Sequence, residues 1–417
     1  MRKPDTIERL YLDFDSFFAG VMQQAMPALR GRPVGVIPFE TAAADATVVI
    51  ACSREAKRHG CRSVMPVPEA RELCPDIVLV TQRPDLFRRA HHTLLNEIAC
   101  EIPIDTVKSI DELTCKLDPR DAAKPHDVSA RIKTRIRQNI GDQITCSIGF
   151  AANRLLAKMA CKMDKPDGAT VWRPEDMPGP LLDLPISSVP GVGSRMEGRL
   201  NVAGVATMGD LLNTQPKQLR KIWGNVNGER MWYALHGYDI QAQPSGRGMY
   251  GHGRVLPPEW RDLKHASACS RLLLVKAARR MRQARYYANK VRLWLGIRHG
   301  GWFAQRDLPC VNDDQACLSA LTALWEKARR EVPGTAEIVR LGVTLFDLTP
   351  ATARQLDLLL RDDETRRKWE RTTSAIDFLN RKFGKRVISI GPWTPPPGGY
   401  AGGKIAYTRI PAAEDFW

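Results

Sequence analysis

The chain lacks the features that would place it in a membrane or outside the cell. No apolar run reaches the roughly 20 residues a bilayer-spanning helix needs. The opening Met1-Arg2-Lys3-Pro4-Asp5 leads into polar residues rather than an apolar signal core. Ten cysteines are present, yet none form a C-x-x-C pair and no Cys/His group has zinc spacing. Reduced thiols packed as small apolar side chains are expected. A soluble, cytoplasmic protein with no membrane partner follows as the expectation. Acidic residues are also scarce: 46 Asp and Glu stand against 62 Lys and Arg, for a net charge of +16. An excess of this size points to a polyanionic partner, most often nucleic acid.

What is present begins with an alternating stretch, Arg9 to Phe14. Leu10, Leu12 and Phe14 take one face of a predicted strand, and Tyr11, Asp13 and Asp15 the other. Further strands are predicted at 33–37 and 48–51, followed by a basic helix, Arg54 to His59, stopped by Gly60. Residues 86–101 read as a long helix, and residues 107–117 as a strand carrying the acidic pair Asp111-Glu112. A helix at 128–139 and a strand at 144–150 complete an α/β unit. Beyond Pro178 the helices shorten around Val189-Pro190-Gly191-Val192-Gly193. Gly191 and Gly193 in that turn let the backbone approach a phosphate beside a helix N-terminus. Trp223 to Gly228 is a weaker second copy.

Residues 239–253 are polar and Gly-rich and read as a linker. After them comes a β-α-β-β-α-β order: a strand near Arg254, a helix from 266 to 287, strands at 291–297 and 302–308, a helix at 313–330 and a strand at 337–346. Arg292, Trp294 and Gly296 alternate away from the apolar set, as do Arg340, Gly342 and Thr344 from Val339, Leu341, Val343 and Leu345. An outward face of Arg, Gly and Thr can lie along a phosphate backbone, which makes Arg292 and Arg340 candidate DNA contacts. The preceding helix adds Arg271, Lys276, Arg279, Arg280, Arg282 and Arg285, either as a further DNA contact or as a solvated basic face.

Asp13 and Asp111 are the carboxylates best placed to bridge metal ions. Carboxylates from two strands suit a nucleotidyl transfer in which two divalent ions sit about 3.5–4 Å apart. Glu112 joins them only if its strand bends, because neighbours in a regular strand point to opposite faces. Asp15 either shares the face of Asp13 or caps the helix beginning at Phe17; the cap is expected.

At these residues the chain resembles a known family. Asp13-Phe14-Asp15-Ser16-Phe17-Phe18, Ser109-Ile110-Asp111-Glu112, Ser147-Ile148-Gly149-Phe150-Ala151 and Leu155 through Gly168 look like the palm motifs of Y-family, translesion DNA polymerases. The resemblance spans roughly residues 5–350, with its motifs in order. It implies an α+β multidomain, right-hand polymerase: a ferredoxin-like palm (1–17 and 83–173), small fingers (18–82), a helix-hairpin-helix thumb (174–238), a linker (239–250), a β-α-β-β-α-β little finger (251–348) and a tail (349–417). It implies two Mg²⁺ ions on Asp13, Asp111, Glu112 and the Phe14 carbonyl. By the same resemblance Phe18 is the steric gate against a 2′-hydroxyl, Phe17 lies beside it under the nucleotide, and Lys165 reaches the triphosphate. Primer–template DNA and a dNTP are the implied partners of a monomer. A non-catalytic scaffold binding DNA and a sliding clamp is the competing reading.

The fingers depart from the family pattern. Where it has Thr, Tyr and Arg at three-residue intervals, this chain has Ala51, Arg54 and Lys57. Two hydroxyls are lost and positive charge is kept, with Ser53 as a substitute hydroxyl. Gln355, Leu358 and Leu360 in Gln355-Leu356-Asp357-Leu358-Leu359-Leu360 resemble the peptide by which bacterial polymerases hold the sliding clamp.

Overall fold

The computed structural model describes residues 1–38, 47–240, 246–298, 300–355, 363–392, 410 and 412. The chain forms two compact units, Met1–Gln243 with Ile405–Ile410, and Pro244–Lys404 with Pro411–Trp417.

The first unit opens with β1 (Arg9–Phe14) and α1 (Phe17–Ala25). A small insertion follows: β2 (Val34–Ile37), β3 (Val48–Val49), β4 (Ala51–Cys52), α2 (Arg54–Arg58), β5 (Met65–Pro66), α3 (Val67–Leu73) and β6 (Val78–Thr81). The chain then returns through α4 (Pro84–Ala99), β7 (Ile104–Val107), β8 (Glu112–Lys116), α5 (Pro119–Ala123), α6 (Pro125–Asn139), β9 (Cys146–Ala151), α7 (Arg154–Ala160) and β10 (Ala169–Val171). Five short helices complete it: α8 (Gly179–Leu182), α9 (Ser194–Val202), α10 (Met208–Asn213), α11 (Pro216–Trp223) and α12 (Val226–Leu235).

The main sheet runs β10-β9-β1-β8-β7. β1 is antiparallel to both β8 and β9. Omitting the appended β10, the strands lie in the order fourth, first, third, second, which is the ferredoxin-like arrangement. The alternation in β1 explains its central place. Leu10, Leu12 and Phe14 enter the core under α4 and α6, with Phe87, Leu94, Ile98 and Ile132. Tyr11 enters a second core with Leu156 of α7 and Leu200 and Leu219 of the short helices. Each such fully buried large apolar side chain contributes roughly 1.5–3 kcal/mol, so β1 is fixed from both sides.

The acidic pair does not lie within one strand. Residues 104–116 form a hairpin in which Asp111 occupies the bend and Glu112 opens β8. The Lys108 and Ser109 N–H groups both donate to the Glu112 carbonyl, which closes the bend. That turn supplies the change of direction that a continuous strand could not.

In the second unit β11 (Met249–Val255), α13 (Leu263–Gln283), β12 (Tyr286–Ile297), β13 (Gly300–Val311), α14 (Asp314–Glu331) and β14 (Ile338–Pro350) follow the expected order, and α15 (Asp363–Lys382) ends it. The sheet order is β11-β14-β12-β13, antiparallel throughout. Val291, Leu293, Leu295, Leu341, Val343 and Leu345 meet Leu273, Ala277, Leu321 and Trp325 of α13 and α14 in one core.

Four sequence expectations are corrected here. The Gly-rich stretch 239–253 supplies β11 from Met249 onward, where each residue to Val255 pairs in register along β14. The helix α13 stops at Gln283; Arg285 takes φ 60° and Tyr286 begins a strand. Val339 is not in the core register: Gly296 pairs with Arg340 and Ile297 with Ile338, so Val339 is bulged and the fully buried Ile338 takes its place. Finally, α13 does not present a solvated basic face. Lys276 and Arg279 are buried, and the Arg282 guanidinium donates to Asp314 at 2.7 Å, to the Asn312 carbonyl at 2.8 Å and to Asp377 of α15 at 2.8 Å. Among the described residues no helix is long and apolar enough to cross a membrane.

Candidate active site

The C-terminal end of β1, the N-terminus of α1, the bend before β8, the segment after α7 and α2 enclose a cavity of about 530 Å³. Its walls include Asp13, Phe14, Phe17, Phe18, Ala51, Arg54, Lys57, Asp111 and Lys165, so residues read from four separate stretches meet in one place. Glu112 lies beside it, paired across the strands with Asp13.

Main-chain and side-chain bonds hold the acids together. The Phe14 N–H donates to the Asp111 carbonyl at 2.8 Å, fastening the tip of β1 to the bend. The Ser109 hydroxyl donates to the Asp111 carboxylate. Lys165 donates to the Asp13 carboxylate. On α7, Lys158 donates to Glu112 at 2.7 Å and to the Tyr11 hydroxyl at 3.0 Å. Burial raises the Asp13 pKa to about 6 against the pull of Lys165, and the charges of Asp111 and Glu112 add to the rise. Burial also raises Asp111 despite Ser109. Burial works the same way on Glu112, but the hydrogen bond and charge of Lys158 outweigh it and hold Glu112 below the usual carboxylate range. Among the described residues no three His, Cys, Asp or Glu side chains are grouped so that they could hold a metal ion as they stand; Asp13 and Glu112 are paired instead with Lys165 and Lys158.

Asp15 is not the helix cap. Its carboxylate accepts from Thr145 Oγ1 at 3.0 Å, Ser147 Oγ at 2.8 Å and the Asp167 N–H at 2.8 Å. It therefore stitches β1 to β9 and to the loop bearing Lys165. Ser16 occupies the cap position with φ 50° and no side-chain cap bond, leaving the first amides of α1 beside the cavity. Phe17 is buried, and Phe18 is half-buried with its ring centroid 4.9 Å from that of Phe87 on α4.

In the insertion between α1 and α4, Ser53 does not replace the missing hydroxyls. It is fully buried and caps α2, accepting from Ala56 N and from Val34 N. Sequence reading missed Arg58, which lines the cavity with Arg54 and Lys57. The spacing 54, 57, 58 is the i, i+3, i+4 pattern of one helical face and was a usable signal. Lys158, the partner of Glu112, was also missed; nothing in its sequence position separates it from a surface lysine.

The candidate nucleic-acid surfaces lie elsewhere. Gly191 takes φ 96° in the turn before α9, and Gly193 is the N-cap of that helix. In the second unit the open sheet face forms a shallow groove lined by Gly251, His252, Arg292, Trp294, Phe303 and Thr344. Arg292 lies over the Phe346 ring at 4.9 Å and Arg340 over the Trp294 ring at 5.0 Å. A Cβ on Gly296 would sit 2.5 Å from Arg340 Cγ, so its absence makes room for that stack.

Comparison with known proteins places this geometry. The description "impB/mucB/samB family" matches residues 12–162, its C-terminal domain matches 247–358, and "DNA polymerase-iota, thumb domain" matches 187–239. DNA polymerase IV of Moorella thermoacetica is 35% identical over 389 residues, covering 91% of this chain and 94% of its own. DNA polymerase IV of Oceanobacillus iheyensis is 28% identical over 392 residues, covering 91% and 90%. A solved Y-family DNA polymerase chimera shares the fold with a TM-score of 0.69 at 22% identity, over 82% of this chain and 99% of that one. With Asp13, Asp111, Phe18 and the basic helix gathered at one cavity, and a relative this similar along nearly its whole length, the chain belongs to the impB/mucB/samB family of Y-family DNA polymerases.

Proposed function

We propose that this protein is a template-directed DNA polymerase of the lesion-bypass type, which extends a primer by attack of its 3′-hydroxyl on the α-phosphate of a dNTP, with pyrophosphate leaving. The observation that carries the reading is the meeting of Asp13 and Asp111, with Glu112 paired to Asp13, and of Lys165, Arg54 and Lys57 at one cavity. The acids fit two Mg²⁺ ions. Partial burial raises the pKa of Asp13 and Asp111, and the charges of Asp111 and Glu112 add to the rise at Asp13; a divalent cation would relieve this, and oxygen donors suit an ion that completes its coordination with substrate phosphates. Asp13, Asp111, Glu112 and the Phe14 carbonyl would hold the ions, which would supply activation of the attacking hydroxyl and charge stabilisation of the leaving group.

The chain's own groups do the rest. Lys165, Arg54 and Lys57 bind the triphosphate, aided by the uncapped N-terminus of α1. Phe18, braced by Phe87, underlies the sugar and excludes a 2′-hydroxyl, and Phe17 supports it. Most of the acceleration then comes from positioning and from charge fixed in advance. Gly191 and Gly193 grip the DNA backbone, and Arg292 and Arg340 present cations to it. Sliding-clamp binding through Gln355, Leu358 and Leu360 rests on the sequence; Gln355 is exposed, and Leu358 and Leu360 lie outside the described residues. No observation favours a non-catalytic scaffold, since the acids are retained and gathered. Primer extension with Mg²⁺ tests the reading. Extension by the wild type that is lost in Asp111→Ala, with DNA binding retained, supports it; equal products from both reject it.

A further inference from the structure

The buried stripe of α4 runs Pro84, Phe87, His91, Leu94, Ile98, the spacing of a helix face turned to the core. An imidazole in the middle of that stripe is anomalous. His91 is 1% exposed, and its Nδ1 lies 2.7 Å from the carbonyl oxygen of Ile110. A carbonyl only accepts, so Nδ1 carries the proton; a second proton on the buried, unpartnered Nε2 would place an uncompensated charge in the core, so the ring is neutral. Nε2 then presents a lone pair, and it is buried without a hydrogen-bond partner. Burial lowers the His91 pKa, in keeping with that neutral form. A buried nitrogen without a partner is destabilising, and leucine would fill the stripe without one, though it would release the Ile110 carbonyl. The bond to Ile110 is what the imidazole provides.

Ile110 immediately precedes Asp111. Around the bend, the Asp111 carbonyl is held by Phe14 N–H, and the Glu112 carbonyl by Lys108 and Ser109 N–H. All of those bonds lie within the sheet layer. The His91 bond ties the peptide entering Asp111 to the helix layer. One turn earlier on α4, Phe87 backs the ring of Phe18. We propose that His91 is a positioning residue that sets the aim of the Asp111 carboxylate, so that one helix places both the gate ring and the catalytic acid.

This inference rests on the role of Asp111 proposed above. The experiment measures kcat and dNTP KM for primer extension, together with the melting temperature, for His91→Phe, His91→Leu and His91→Asn. Phe and Leu suit the apolar stripe but donate nothing; Asn keeps an N–H close to the position of Nδ1 at the expense of packing. We expect Phe and Leu to fold with melting temperatures near wild type and to lose about 10- to 100-fold in kcat, the scale of a small misplacement of a reacting group, with KM changed less than about threefold. Asn should recover most of kcat although it is less stable. If Phe and Leu stay within about twofold of wild type, or if kcat follows melting temperature so that Asn is the worst of the three, the proposal fails. Loss in Asp111→Ala with none in the His91 variants removes His91 alone, whereas retained extension in Asp111→Ala removes the reading beneath it.

Discussion

Two sheets in this protein share the chain order β-α-β-β-α-β and use it differently. In the first unit the first strand is central, flanked by β9 and β8, and both its faces are packed. Nothing can bind to such a face, so chemistry concentrates at the strand's end, where Asp13 meets the bend that carries Asp111. In the second unit the first strand is at the edge and β14 and β12 are central. Only one face is covered, and the open one carries Arg292, Trp294 and Arg340. The same succession of elements therefore makes a point-like site in one case and an extended surface in the other. What separates them is whether the second face of the sheet has a covering layer.

The comparison can be broken at several places. The largest effect is expected for Asp111→Ala, which should lower extension by about a thousandfold or more, the scale at which fixed transition-state charge acts, while DNA affinity stays within about threefold. A variant that loses DNA binding in proportion to extension would erase the contrast between point and surface. Next is the buried ionic group of the second unit. Arg282→Met removes the guanidinium that bonds both Asp314 and Asp377, and chemical denaturation should show a loss of about 3–5 kcal/mol; a change under about 1 kcal/mol would mean that α15 is not fastened there.

A smaller effect concerns pH. The Asp13 pKa is raised in the folded state to about 6 from the ordinary 3.8. Below the lower value both states are protonated and stability is full; it falls as pH rises and is fully lost above about 6. Asp13→Asn, measured with a chelator present, should therefore stabilise by about 1–3 kcal/mol at about pH 8 and by almost nothing at about pH 3.5. The opposite ordering would show that Lys165 outweighs burial. Phe18→Ala should admit ribonucleotides, with sugar discrimination falling about 10- to 100-fold, the range that about 1–3 kcal/mol of pocket packing allows. Smallest, Arg292→Ala and Arg340→Ala should each weaken DNA binding a few-fold, with the log–log salt slope falling by about 0.9 for each phosphate no longer neutralised. An unchanged slope would move the DNA surface off this sheet.

Much of this was legible in the sequence because strand alternation and motif spacing report local geometry directly. Leu10, Leu12 and Phe14 disclosed their face, and the acids of 13, 111 and 112 disclosed a shared destination. The failures were of another kind. Asp15 and Ser53 both satisfy local capping rules, and each has a polar side chain whose partner could be near or far. Ser53 took the near one, capping α2. Asp15 took partners more than a hundred residues away. Arg282 looked like its basic neighbours because nothing in α13 announces that Asp314 and Asp377 will arrive beside it. Local pattern fixes which way a side chain points, whereas its partner is decided by topology.

The stack of Arg340 on Trp294 depends on a carbon that Gly296 does not have. Alanine there alters no ionisable group, and any tally of charge would score the exchange as silent. It would nonetheless push the guanidinium off its indole shelf and into the solvent, where it must be re-ordered each time a phosphate arrives. On the proposed reading, the hold of that sheet on DNA is thus encoded partly in an uncharged residue, and an electrostatic map drawn from composition alone will overlook it.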